Sequence, residues 1–356
     1  DFSLIFPYPS QSRDEREKGD AVLKKLEPFL RINTDPDAID CYAKVPDEVL
    51  KGLAEVGVFG WNIDEKYGGA GLSEVNYNRA LAFLGSWDDV LGLIASAHQS
   101  IGLPHPLRHS AREDQREALL PGMARGSISA FALTEQQAGS DPSRMELKAT
   151  FSEDGKEVIL NGEKWYCTNG TIAENVLVMA KVPPYEVKSI SAFIVPMSSP
   201  GITRKPRRFM GYRGLPNATI KFEDVRIPIE NMIGEGKKGL RLALEALNDG
   251  RVSVSALTLG AAKRTWRPTL WWAMERVQFG QPIGRYEANA VNIGKMAANL
   301  FAMDAMTWLV AGLADQDKID LRIEAAACKL FCSTEYYYQI AETAMELRGG
   351  RGYETR

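Results

Sequence analysis

This sequence is short of the residues that build zinc ribbons, disulfide scaffolds and nucleic-acid surfaces. It has four cysteines, Cys41, Cys167, Cys328 and Cys332, and none forms a Cys-x-x-Cys pair. Neither a ribbon nor a disulfide framework is indicated. Cys328 and Cys332 stand one helical turn apart and read as core packing. Histidine is scarcer: His98, His105 and His109 are all there is, in one segment. Pro104 and Pro106 should break any helix there, which argues against a two-histidine metal site on one helical face. A net charge of −3 advertises no nucleic-acid or anionic-membrane surface, and the basic run at 204–209 reads as a solvated loop. P-loop, G-x-G-x-x-G, G-x-S-x-G and H-E-x-x-H signatures are all missing. KYGGAGLS at 66–73 has the wrong spacing for a dinucleotide fingerprint, and no strand feeds it. The longest apolar run, 296–314, contains Asn299 and Asp304, so it suits a buried helix better than a membrane span. No targeting peptide is visible at the start, which reads as trimmed. The expectation is a soluble protein of a reducing compartment.

What is there is globular in kind: 45% hydrophobic and 25% charged residues over 356 positions, enough for two or three packed regions. The first part is helical. Val22, Leu23, Leu26, Phe29 and Leu30 recur at helical spacing, and Pro46 opens a second helix carrying Val49, Leu50, Leu53 and Val56. From Ile128 the pattern changes to short strands and turns. EVILNGEKWYCTNG predicts two strands joined by a turn at Asn161-Gly162. ATIKFEDVRIP alternates Ile220, Phe222, Val225 and Ile227. After Gly239 a long helix begins, which Pro268 should kink or divide. Two more helices follow at 289–315 and 318–347, apolar over much of their circumference, as in a bundle or a subunit contact. The fold class is therefore α+β: a helical domain (1–127), a middle antiparallel β-sheet domain (128–234) and a C-terminal helical bundle (235–356) that looks incomplete at its end.

The stretch with most chemistry is FALTEQQAGSD at 131–141. Apolar strand residues give way to hydroxyls, amides and small residues whose backbone N–H groups are accessible. Such a strand end suits a polar ring and an anion side by side, and equally an ordinary surface turn. Its sequence resembles the [A/C]-x-T-E-x-x-A-G-S-D signature of the acyl-CoA dehydrogenase family. Four other segments resemble that family's motifs in the right order: LNGEKWYCTNG, FEDVRIP with NMIGEGKKG, ERVQFGQPIG and ELRGGRGYET. Together they span essentially the whole chain.

The resemblance implies FAD as cofactor, an acyl-CoA substrate, an electron-transfer flavoprotein as partner and a homo-oligomer, dimer or tetramer. It also implies the cytoplasm of a bacterium or a mitochondrial matrix. Phe131, Leu133 and Thr134 are expected along the flavin ring, with Gly139 and Ser140 toward its phosphates and the acyl-CoA. Tyr166 stands where the family usually has Trp, with Trp165 just before it, so either Tyr166 stacks on the flavin or the register shifts by one. Thr168 is expected to bond the flavin. Arg276 and Phe279 match residues that reach the FAD of a neighbouring subunit, and an arginine fork suits a pyrophosphate. Gly349 and Gly350 match glycines that admit close approach. Glu346 and Glu287 put acids where the family often has Gln. Asn248 and Arg251 are expected at the substrate.

The family reaction, α,β-desaturation of the thioester with hydride transfer to flavin N5, needs a glutamate base in a dry pocket. One family location for it is occupied here by Gly250. The other lies beyond the G-G-x-G-Y motif, so the catalytic glutamate is expected past Arg356 and no catalytic base is assigned. Glu135 and Asp141 belong to the cofactor turn, and Glu354 is too close to the glycines. Two other readings remain: a flavin monooxygenase or oxidase on the same fold, and a non-catalytic acyl-CoA-binding member.

Overall fold

The computed structural model describes residues 5–186, 188–316 and 319–354. Seven helices come first: α1 (Arg13–Asn33), α2 (Pro36–Tyr42), α3 (Asp47–Glu55), α4 (Glu74–Trp87), α5 (Asp89–Ser96), α6 (Pro104–Ser110) and α7 (Glu113–Ala124). The strands follow: β1 (Ser129–Ala132), β2 (Lys148–Phe151), β3 (Glu157–Thr168), β4 (Asn175–Lys181), β5 (Ile190–Pro196), β6 (Ile202–Pro206), β7 (Asn217–Pro228) and β8 (Met232–Ile233). Then come α8 (Gly239–Glu275), the short pair β9 (Val277–Gln278) and β10 (Gln281–Pro282), and α9 (Glu287–Ala314), α10 (Arg322–Glu335) and α11 (Glu342–Arg348). This is the α+β order that the sequence pattern predicts. Polar side chains start several helices: Asp35 accepts from Ala38 N at α2, and Ser73 from Asn76 N at α4. Contacts gather the chain into two compact units, one of Asp1–Leu23, Ser73–Gly92 and Arg251–Arg356, the other of Lys24–Leu72 and Leu93–Gly250.

The second unit holds the sheet, in strand order β6-β7-β3-β2-β4-β5-β8, with β1 also beside β4. β4 and β5 are buried along almost their whole length. Alternation splits them between two cores: Val176, Val178, Phe193 and Val195 face one, and Leu177, Met179, Ala192 and Ile194 face the other, with Leu107 and Leu120 of the helices. A strand apolar on both faces loses the period-2 pattern, which is why NVLVMAKV reads as a continuous run.

Four local expectations are corrected. The sheet is not wholly antiparallel, because β1 runs parallel to β4. The β2–β3 hairpin between them gives ample chain for that crossover, and side-chain alternation carries no information on strand direction. Asn161-Gly162 is no hairpin turn: β3 runs through it, with a pairing irregularity between Leu160 and Gly162. Asn161 Nδ2 donates to Asp224 Oδ1 at 2.9 Å, and a Cβ at Gly162 would stand 2.8 Å from Leu147 Cα. Pro268 does not divide α8, which is continuous for 37 residues; one missing N–H is a small loss among so many bonds. Pro104 and Pro106 do not break a helix either. They stand in the first turn of α6, where the N–H groups have no helical partner to lose.

In the first unit, Val252, Leu259, Met296, Met303, Val310, Cys328 and Cys332 form the core. The two thiols lie 4.0 Å apart and buried, as packing predicts. Helix α9 is long and apolar enough to cross a membrane by length and composition alone. Its Met296 and Met303 are in this core, Asn299 donates to Glu335 and Asp304 pairs with Lys263.

Asp88 caps α5, accepting from Val90 N at 2.7 Å and Leu91 N at 3.0 Å. Burial, and then the charge of Asp88, raise the neighbouring Asp89 carboxyl to about 7. Its folded form holds a proton that the unfolded chain releases near pH 4, so its stabilising effect is lost as pH rises from about 4 to 7. The stability advantage of Asp89→Asn over the parent is expected to widen by roughly 2 kcal/mol between pH 5 and pH 8. Urea titrations at the two pH values measure it; a constant gap would mean that Asp89 is ionised throughout.

Candidate functional site

In the sheet-bearing unit, the segment after β1 is fixed by a buried ion pair. Lys164 Nζ, fully buried on β3, lies 2.7 Å from Glu135 Oε1 and donates to Leu133 O at 3.0 Å. The Glu135 carboxylate also accepts from Glu146 N at 2.5 Å and Leu147 N at 3.1 Å. Burial lowers the Lys164 pKa, and Glu135 opposes that shift. Glu135 and Ala138 exchange backbone hydrogen bonds, and Trp165 N donates to Thr134 O at 2.8 Å. The turn is therefore anchored at its base and open at its tip. Gly139 and Ser140 are exposed, and a Cβ at Gly139 would meet nothing within 4 Å. Phe131 and Thr134 are half-buried, while Leu133 keeps 8% of its surface. Asp141 accepts from Ser143 N and Oγ. Neither acid of this turn is unoccupied.

Further along β3 the pairing with β7 slips again, between Lys164 and Cys167. Tyr166 takes a left-handed backbone there (φ 57°) and exposes half of its surface, more than Trp165 does. The Arg207 guanidinium lies 4.3 Å from the Trp165 ring centre and 4.4 Å from that of Tyr166, and Phe209 stacks on Tyr166 at 6.2 Å. Thr168 Oγ1 accepts from Asn217 Nδ2 at 3.2 Å, which leaves the threonine proton to donate elsewhere.

In the helical unit, Arg276 at the end of α8 and Gly349-Gly350 after α11 line one cavity of about 500 Å³, with Arg348 and Arg351. Trp272, one helical turn before Arg276, donates from Nε1 to Leu347 O at 2.8 Å and so ties α8 to α11. The guanidinium carbons of Arg276, Arg348 and Arg351 lie 5.8, 5.7 and 5.3 Å from its ring centre. Gly349 has φ 61° and ψ −139°, a backbone region almost confined to glycine, and open space where a Cβ would stand. Glu346 and Glu354 are also in the wall. Three arginines against two acids leave the cavity one charge positive. Phe279 is apart from this group, at the β9–β10 turn and 98% exposed. The sequence reading missed Trp272, Arg348 and Arg351; the signals were Trp272 at i−4 from Arg276 and arginines flanking the two glycines.

Asn248 and Arg251 are half-buried on α8. Between them, a Cβ at Gly250 would lie 2.7 Å from Ile101 Cγ2, so a glutamate there would have to displace that methyl group.

In the sheet-bearing unit, an exposed aromatic near threonine hydroxyls suits a ring that stacks; in the helical unit, the arginine–glycine cavity suits a pyrophosphate, which takes guanidinium donors and bare backbone. The comparisons agree. Family models for the acyl-CoA dehydrogenase N-terminal, middle and C-terminal domains match residues 17–127, 130–225 and 237–356. The chain belongs to the acyl-CoA dehydrogenase family. It is 44% identical, over 99% of its length, to a probable acyl-CoA dehydrogenase (FadE10) of Mycobacterium tuberculosis, and covers 54% of that protein. The chain thus spans about half the length of the curated relatives it matches. Among solved structures, it is similar to butyryl-CoA dehydrogenase from Megasphaera elsdenii, with a TM-score of 0.90 at 28% identity, over 97% of this chain and 90% of that one. It is also similar to a glutaryl-CoA dehydrogenase from Mycobacterium smegmatis in complex with FADH2, with a TM-score of 0.85 at 26% identity, over 96% and 86%.

Removing one partner of a buried ion pair leaves the other charge uncompensated. Lys164→Met is expected to cost roughly 3–5 kcal/mol. A double-mutant cycle with Glu135→Gln should return a coupling energy above about 1 kcal/mol. Denaturant unfolding of the four proteins measures both, and strictly additive effects would contradict the pairing.

Proposed function

We propose that this chain forms the flavin- and acyl-CoA-binding part of an FAD-dependent acyl-CoA dehydrogenase, which desaturates an acyl-CoA thioester between Cα and Cβ. The observation that carries this reading is the cavity where Arg276, Arg348 and Arg351 surround Trp272 beside Gly349 and Gly350. Such a cavity serves a pyrophosphate: guanidiniums offer paired N–H donors and the glycines leave backbone accessible. On the sheet we assign Tyr166 to stacking on the flavin and the Thr134 and Thr168 hydroxyls to its polar edge. Gly139 and Ser140 are assigned to the phosphate side and the acyl-CoA. Bound FAD supplies the two-electron acceptor.

The residues of this chain then bind, orient and exclude water. Asn248 and Arg251 are assigned to the CoA ester, and Arg276 and Phe279 to the FAD of a second copy in a homodimer or homotetramer. No carboxylate among residues 1–356 is assigned the α-proton. Glycine stands at 250, Ile101 crowds that position, and Glu135 is committed to Lys164 and two backbone N–H groups. An electron-transfer flavoprotein is proposed to take the electrons.

The test is the visible spectrum of the full-length protein. Bound flavin should give a yellow protein that bleaches anaerobically on adding a saturated acyl-CoA. A protein that takes up no FAD would sink the reading. Rapid reoxidation by oxygen would turn it toward an oxidase. Arg276→Ala is expected to weaken FAD binding by on the order of 10–100-fold, losing a charge-assisted contact of roughly 1.5–3 kcal/mol, with little change in thermal stability of the apoprotein. Fluorescence titration with FAD measures it.

A further inference from the structure

The chain has three histidines. His98 is fully buried, with Nδ1 2.9 Å from Ser129 Oγ and Nε2 3.1 Å from Phe59 O, so both ring nitrogens are in use. The other two are placed differently. Because Pro104 starts α6 instead of breaking it, His105 and His109 fall four residues apart on one helical face. Their rings are 4.6 Å apart and inclined at 43°. Asp249, on α8 in the same compact unit, brings Oδ2 to 2.7 Å from His105 Nδ1. One ligand atom from each of the three residues lies within 4.8 Å of the other two.

We propose that His105, His109 and Asp249 form a binding site for a zinc-like divalent transition-metal ion. Nothing in the flavin and acyl-CoA assignment uses these three side chains. Two imidazoles and one carboxylate select Zn²⁺, Co²⁺ or Ni²⁺ over Mg²⁺ and Ca²⁺, which require oxygen ligands. An ion at about 2.0–2.1 Å from each ligand requires them to stand roughly 3.3–3.5 Å apart. The His105–Asp249 contact of 2.7 Å therefore opens by less than an ångström, and the exposed His109 ring moves toward the other two ligands. His105 is the anchored member, its side chain only 12% exposed. His109 opens on a cavity of about 440 Å³ that also contains Ser110, Gly234 and Lys238, which supplies an entry route. The cations in that wall are neutralised: Lys238 pairs with Glu235, and Arg241 with Glu245 at 2.8 Å. Three protein ligands leave the fourth tetrahedral position to water, the arrangement of an exchangeable ion. The bound ion joins α6 to the turn of α8 that carries Asn248.

The substitutions at His109 and Asp249 tie any uptake to this site. The full-length protein, free of any purification tag and carrying Cys41→Ser to remove the exposed thiol, is titrated calorimetrically with ZnCl₂. Expected are uptake of one Zn²⁺ per chain, a rise in melting temperature with Zn²⁺, a visible d–d band with Co²⁺ and no response to Mg²⁺. His109→Ala, a surface substitution, and Asp249→Asn should each weaken Zn²⁺ binding by at least about 10-fold. The absence of saturable Zn²⁺ uptake would overturn the proposal. So would uptake undiminished in His109→Ala when circular dichroism shows an unchanged fold.

Discussion

A lysine and a glutamate 2.7 Å apart, both closed to solvent, connect two segments that would otherwise be ordinary loop and ordinary strand. The lysine comes from β3 and reaches the carbonyl of Leu133 as well as Glu135. The glutamate gathers two backbone N–H groups from the approach to β2. One pair therefore fixes where β1 ends, where β2 begins and how the turn between them is held. It is an expensive device, since two charges leave water, and the hydrogen bonds from Glu146 N and Leu147 N to the carboxylate and from Lys164 to Leu133 O offset part of that cost. In return, the tip at Gly139 and Ser140 is supported on a rigid base while its own backbone stays open. A loop that must hold a large rigid ligand needs that combination.

Period and punctuation carried most of the architecture. The helical spacing before Ile128, the strand-like middle and the apolar helices after Gly239 are all in the structure because burial acts through the same periods that the sequence displays. What failed had physical causes of one kind. Asn161-Gly162 has the composition of a hairpin turn, yet Asp224 on the neighbouring strand supplies hydrogen bonds that hold Asn161 inside β3. Pro104 and Pro106 have the composition of helix breakers, yet a proline in a first turn has no helical hydrogen bond to lose. Tertiary partners and exact position within an element decided these cases, and a single sequence shows neither.

The two candidate regions, the turn in the sheet-bearing unit and the cavity in the helical unit, were legible to different depths. The strand-end signature and the glycine pair stand out as strings. Trp272, Arg348 and Arg351 do not, because their meaning lies in convergence: three guanidiniums around one indole, brought together by α8 and the end of α11. Like charges gathered this closely repel. The face of an aromatic ring and the flanking Glu346 and Glu354 offset part of that repulsion. A cavity that keeps one unbalanced positive charge is poised for an anion.

Gly250 completes the division of labour within the chain. At position 250, one of the two locations the resemblance implies for a glutamate, this chain has glycine, and a Cβ there would lie 2.7 Å from Ile101 Cγ2. The two acids of the signature turn are equally unsuited, because Glu135 is bound to a lysine and Asp141 to its own loop. A general base must keep a lone pair free toward its substrate in a dry site; Glu135 uses both carboxylate oxygens in the fold, and Asp141 lies exposed with its Oδ1 held by Ser143. None of these three positions therefore presents a carboxylate with the free lone pairs and open approach that proton abstraction needs.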